Sequence, residues 1–257
     1  MFTTVAYYAS VSPAGLDVKV APVADVSVRI SGNDLYVPAL NQLMAVAGMV
    51  STTVATAIAR LTAPSLLRVS RQVAAPIQGA AAAINLPGDP HAITLFTGGL
   101  ADLATNEALD AIVNSTPAAA QIHSVVVWLA DSTPSPVLPA EIFTIRATGA
   151  TALVAGTWTP VSVLTFDDQL PVGRYSIVGM RAQSTNMIAA RLVVPGYAWR
   201  PGVLGCNAAS HRDDWRFRQG RVGEYAQFDE VTLFSVECLA GAADATQQFH
   251  FDVAKIS

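Results

Sequence analysis

The amino-acid sequence predicts a mainly β protein: an antiparallel β-sandwich with two helices in its N-terminal half. The first observation behind this lies downstream of Gln121. Short runs rich in Val, Ile, Thr and aromatic residues recur there, separated by Pro- and Gly-bearing spacers such as 133–139, 171–173 and Gly241. Strands spaced about every 8–12 residues with such punctuation indicate a sandwich or barrel. The second is that helical spacing occurs only at 38–61 and 102–114, both ahead of that region. Alternating strands and helices, the mark of a parallel α/β sheet, are missing.

Residues 173–203 organise the β-rich part. A strand is expected from Arg174 to Ala182, a polar turn at Gln183–Asn186 and a return strand from Met187 to Val194, ended by Pro195-Gly196. Tyr175, Ile177, Val178, Met180, Ile188, Leu192, Val193 and Val194 occupy both alternating faces, so both faces are covered, as in the middle of a packed sandwich. Arg181 and Arg191 interrupt these faces. Each is expected to reach the surface or a partner carboxylate.

In chain order, β-like runs at 3–9, 16–20, 23–30 and 35–37 come first, broken at 12–15 and by Ser-Gly-Asn-Asp at 31–34, a tight-turn signal. Pro38 then suits a first helical turn, and Leu40, Leu43, Ala47, Val50, Val54, Ile58 and Leu61 recur every three or four positions. No charge lies between Asp34 and Arg60, but Asn41, Gln42, Ser51, Thr52 and Thr56 argue against a membrane span. A helix packed against protein is expected. Pro64, Pro76, Pro87 and Pro90 make 62–90 an extended linker. A strand follows at 92–96, then the second helix, with Leu103, Leu109, Ile112 and Val113 on one side and Asp102 or Thr105 as its cap. Further strands are expected at 121–130, 141–147, 151–155, 158–166, 202–206, 225–229, 231–240 and 247–255. The division is thus 1–119, a β/helical region or arm, and 120–257, the sandwich.

Only 13% of the 257 residues are charged, and 52% are hydrophobic. A free-standing soluble protein carries about 25% charged residues. The deficit predicts that much of the surface is buried against other subunits. Cys206 and Cys238 are too few for a disulfide framework. The N-terminus MFTTVAYYAS lacks the basic start of a secretory signal.

Nucleotide-loop, nucleophile-elbow and zinc-helix motifs are all absent from the sequence. His91, His123, His211 and His250 fall in four separate segments without ligand spacing. No catalytic, cofactor-binding or metal-binding residue is therefore assigned, no cofactor is expected, and an enzyme is not expected. The segment 211–221, HRDDWRFRQGR, mixes four arginines with Trp215 and Phe217. It resembles a basic-aromatic nucleic-acid surface, but Asp213 and Asp214 cancel half its charge, and a solvated or subunit-contacting loop is expected instead. Asp167 and Asp168 are read as turn residues between strands rather than a general acid/base or cation pair.

The stretches 165–175 (TFDDQLPVGRY), 188–196 (IAARLVVPG), 199–202 (WRPG) and 247–253 (QQFHFDV), with 63–68 (APSLLR) upstream, give the chain a further likeness. Over 120–257, and more weakly 62–90, it resembles the jelly-roll major capsid (coat) proteins of tailless icosahedral viruses, chiefly of bacteria. The resemblance implies a jelly-roll-like sandwich, single or compactly double, that self-assembles into a virion shell. It implies copies of the same chain as partners, with minor virion proteins as further ones. Lys19 is the lone basic residue of the first 28, so a phosphate-neutralising arm is not expected. A different class, a carbohydrate- or receptor-binding sandwich, would use Trp128, Trp158, Trp199 or Trp215 to stack its ligand. A cupin-like enzyme would need clustered His and Glu ligands, which the sequence lacks.

Overall fold

The structure is a computed structural model that describes residues 1–9, 17–50, 57–68, 73–79, 93–95, 101–115, 122–132, 141–206, 224–231 and 234–257. It is mainly β. The chain divides into an N-terminal unit, Thr3–Thr133, and a C-terminal unit, Pro134–Ser257 together with Met1–Phe2.

The strands of the N-terminal unit are β1 (Phe2–Ala9), β2 (Val18–Val20), β3 (Arg29–Ser31), β4 (Asp34–Tyr36), β5 (Gln42–Val50), β6 (Ala57–Thr62), β7 (Val73–Gly79), β8 (Ile93–Leu95), β9 (Ala101–Asp102), β10 (Ala108–Ser115) and β11 (His123–Ala130). One layer runs β1-β11-β5-β8 and another β2-β10-β6-β7. They join where β5 lies parallel to β7, Gly48 opposite Ile77. Gly32, at φ 60°, makes the tight turn between β3 and β4, where its missing Cβ removes the strain of left-handed backbone. Leu35, Leu43, Leu61, Leu109 and Leu129 form the core with Val46, Val125 and Val127. The buried Tyr7 hydroxyl donates to the Leu109 carbonyl.

The C-terminal unit holds β12 (Ile142–Gly149), β13 (Trp158–Pro160), β14 (Leu164–Phe166), β15 (Arg174–Gln183), β16 (Met187–Val193), β17 (Gly202–Cys206), β18 (Ala226–Asp229), β19 (Ser235–Ala240) and β20 (Gln247–Lys255). Its layers run β12-β20-β15-β18 and β13-β19-β16-β17, joined where β15 lies parallel to β17. At the other end of β17, Gly202 lies opposite Arg191 of β16, where a Cβ would stand 2.4 Å from the Ala190 carbonyl oxygen. An aromatic cluster fills the space between the layers: Phe234 packs edge-on against Phe251 at 4.7 Å and Phe228 at 5.0 Å, and Tyr175 stacks on Phe228 at 5.7 Å.

Among the described residues neither predicted helix forms, and one short helix is present, α1 (Pro64–Arg68). Within 38–61 the chain forms β5 and β6 instead. Leu43 to Gly48 of β5 are buried without a break, and a strand covered on both faces shows the same unbroken apolar run as a buried helix. Within 102–114, Asn106 takes a left-handed φ of 67°, which ends any helix. The Glu107 carboxylate ties the turn by accepting from the amides of Ala104 and Ser65, each at 2.9 Å. Beyond it Leu109, Ala111 and Val113 point inward while Asp110 and Ile112 are half-exposed, the two-residue period of a strand.

The hairpin at 173–203 is corrected in its pairing. Both strands form nearly as expected, but β15 and β16 are not neighbours; β16 lies between β19 and β17 in the other layer. The connecting turn is held by the 241–246 loop: Asn186 N donates to Asp244 at 2.7 Å, Gly241 N to Asn186 O at 3.0 Å, and Ser184 Oγ bonds Asp244. Anchored there, the chain steps across the sandwich instead of folding back on itself. Residues 158–166 split into β13 and β14, and 151–155 makes only isolated bridges at Leu153 and Ala155. The linker 62–90 contains α1 and β7, and its residues 80–90 lie outside those described.

Phe251→Ala removes the side chain that Phe234 leans on, fully buried in β20. It is expected to destabilise the protein by about 3–5 kcal/mol, read as a lowered urea midpoint. An unchanged midpoint would place the C-terminal core elsewhere.

Candidate functional site

The two arginines singled out in the sequence are built into the C-terminal unit as ion pairs. Arg191 on β16 faces Glu237 on β19 in register. Its side chain is 1% exposed, and its Nε donates to Glu237 Oε2 at 2.9 Å. Trp158, on the next strand over, presents its ring 4.0 Å beneath the guanidinium. A buried cation thus has a carboxylate on one side and an aromatic face on another, which is what its desolvation demands. Arg181 on β15 reaches across to Asp252 on β20 through two bonds of 2.7 Å. Thr144 on β12 adds a third bond to Asp252, at 2.6 Å. These groups lock three neighbouring strands at one level and leave no charge open for chemistry.

The remaining candidates are scattered. His123 is fully buried in β11, and burial pushes its imidazole down from 6.5 to about 4. His250 sits half-buried on β20, opposite Arg146 and Arg181. His91, Trp215 and the whole of 211–221 lie outside the described residues. Cys238 is a free, buried thiol that burial pushes well above its ordinary range, so it is not a poised nucleophile. Trp128 is buried, and Trp199 is half-buried. Among the described residues no three His, Cys, Asp or Glu side chains are grouped to hold a metal ion.

One concave feature gathers acidic groups. A cleft of about 440 Å³ in the C-terminal unit is lined by Phe166, Asp167, Asp168, Gln169, Leu170 and Glu230. Asp167 accepts from Arg146 Nε, with the two side chains half-exposed. Glu230 Oε2 accepts the Gly173 amide at 2.9 Å, which ties the loop after β18 to the one before β15. The chain neighbours of the tied residues, Val172 and Val231, are 81% and 84% exposed. The Asp167-Asp168 pair does sit in a turn after β14. What the sequence missed is Glu230, some sixty residues on, for which no local pattern gives a partner. Apolar floor and carboxylate rim together suit a cation with an apolar or planar body.

No protein-family model matches the chain, and no curated protein matches it. Among solved structures, the major capsid protein P2 from bacteriophage PM2 aligns with 100% of this chain and 98% of that one, at 12% identity and a TM-score of 0.21. A superposition that poor has no weight for fold or function. No helix among the described residues is long and apolar enough to cross a membrane.

Two outcomes are expected. Because His123 is held neutral in the folded chain, stability is full above pH 6.5 and falls as pH drops toward 4, by about 3 kcal/mol in all. Urea midpoints between pH 7 and 4 should therefore fall less steeply in His123→Phe than in wild type. Arg191→Met strands the Glu237 carboxylate and should destabilise by about 3–5 kcal/mol, with most of the loss recovered in Arg191→Met/Glu237→Leu. A double variant as unstable as the single one would mean that the pair is not coupled.

Proposed function

We propose that this chain is a structural subunit of a viral shell, built as two jelly rolls in tandem and self-assembling into a virion capsid. The observation behind this is the strand order. Eight principal strands can be counted in each unit: β1, β2, β5, β6, β7, β8, β10 and β11, then β12, β13, β15, β16, β17, β18, β19 and β20. In both, the first, eighth, third and sixth form one layer, and the second, seventh, fourth and fifth the other. That is the double Greek key of the jelly roll, an architecture of viral coats as well as of lectins and cupins.

Surface composition favours the coat among those. With 13% charged residues the chain is poorly equipped to stay dispersed, and large apolar side chains such as Val26, Val154, Val163, Val172 and Val231 stand exposed. Lys19, the lone cation of the first 28 residues, is paired with Asp34 and Asp110 and so is committed within the chain. The proposal therefore assigns no genome condensation to the N-terminus. Its partners are copies of itself, with minor virion proteins as further ones. The carbohydrate-binding alternative loses Trp128 and Trp158, whose rings lie in the core.

Subunit contacts of this composition are chiefly apolar and hydrogen-bonded. Apolar burial contributes roughly 25 cal/mol per Å² and is strengthened by sulfate, whereas exposed ion pairs contribute about 0–1 kcal/mol each and are screened. The purified chain is expected to form particles visible by electron microscopy. Light scattering should show them persisting between about 0.1 M and 1 M sodium chloride, over which the screening length falls from about 10 to 3 Å. A chain that stays monomeric at every salt and pH would sink the proposal.

A further inference from the structure

We propose that the cleft lined by Phe166, Asp168, Leu170 and Glu230 is a docking site for the arginine-rich segment 212–221 of a second copy of the chain. This deepens the self-association proposed above by naming one contact that is charged rather than apolar. Of the three carboxylates lining the cleft, Asp167 is matched by Arg146. Asp168 and Glu230 have no ion pair among the described residues, and Asp168 is exposed. The floor is aromatic: Phe166 is fixed by Phe234 at 5.9 Å and Phe251 at 6.5 Å. Carboxylates beside a fixed aromatic ring suit a guanidinium better than an ammonium, because its planar cation stacks and forks at once.

The sequence holds one segment of matching chemistry. Residues 212–221 carry four of the thirteen arginines, interleaved with Trp215 and Phe217 and offset by Asp213 and Asp214. In an extended peptide Arg216 and Arg218 fall on one side and Trp215 and Phe217 on the other. The arginines match Asp168 and Glu230 in charge, and the aromatic rings match the apolar surface of Val172 and Val231, both more than 80% exposed.

The test uses a labelled synthetic peptide of residues 211–221 and the full-length Arg216→Glu/Arg218→Glu chain as receptor, so that the receptor's own segment does not compete. Fluorescence anisotropy should show saturable binding, weakened about tenfold or more by Asp168→Arg and also by 0.5 M sodium chloride. Asp168→Asn, with a circular dichroism spectrum matching wild type, should weaken it less. Equal binding to Asp168→Arg, or no binding to the receptor, overturns the proposal. Full-length Asp168→Arg and Arg218→Glu chains should each associate more weakly alone and regain association when mixed. Recovery only when both changes share one chain would place the segment in its own cleft and overturn the second-copy assignment. Particles without peptide binding sink this inference alone; peptide binding without particles sinks the shell reading alone.

Discussion

The architecture depends on one short contact made twice, the parallel pairing of the third principal strand with the fifth. It involves only Gly48–Val50 against Ile77–Gly79 in one unit and Ala182–Gln183 against Gly205–Cys206 in the other. The other pairings between named strands are antiparallel among the described residues, and the isolated bridge of Ala155 with Ala240 is also parallel. The third-to-fifth pairing turns two four-stranded layers into one continuous curled sheet, so that each layer loses an edge that would otherwise invite foreign strands. Gly48 and Gly205 stand at the pairing in the two units, where a backbone must come close to another backbone.

Within that frame, the buried ions of the C-terminal unit set register rather than add stability. Arg191 with Glu237 and Arg181 with Asp252 are cross-strand partners on facing layers. A slip of one residue along either strand would send a charge into the aromatic cluster around Phe234 and Phe251. In the N-terminal unit the ion pairs of Lys19 with Asp34 and Asp110 and of Arg60 with Asp17 lie at the surface.

The C-terminal unit was legible because its strands are separated by real punctuation. Pro195-Gly196 and Pro171-Val-Gly173 stop the chain where the structure stops it, and β15, β16 and β20 fall within a residue or two of their expected limits. The N-terminal unit was not, because β5 is an uninterrupted apolar run whose period decides nothing. At 108–113 the alternation was present but was outweighed by the cap candidates Asp102 and Thr105, of which Asp102 ends β9 and Thr105 lies in the turn before β10. The repeated strand order left no trace in the sequence, since each unit fills its core differently, with leucines and valines in one and packed aromatics in the other. The cleft was half legible: Asp167 and Asp168 were seen, and Glu230 was brought to them only by the pairing of β18 with β15.

In both units the first strand pairs with the last, and the last lies in the middle of its layer: β11 between β1 and β5, β20 between β12 and β15. During synthesis each unit is therefore incomplete until its final strand has left the ribosome, whatever has formed before. The N-terminal unit can close once residue 130 emerges, while the C-terminal one waits for β20 at Gln247–Lys255. A nascent chain halted before Gln247 lacks not a border strand but the centre of a sheet, with Phe249 and Phe251 missing from its core. Quality control at the ribosome thus has a sharp boundary to act on: without β20 the edges of β12 and β15 are both open, and its arrival closes them together.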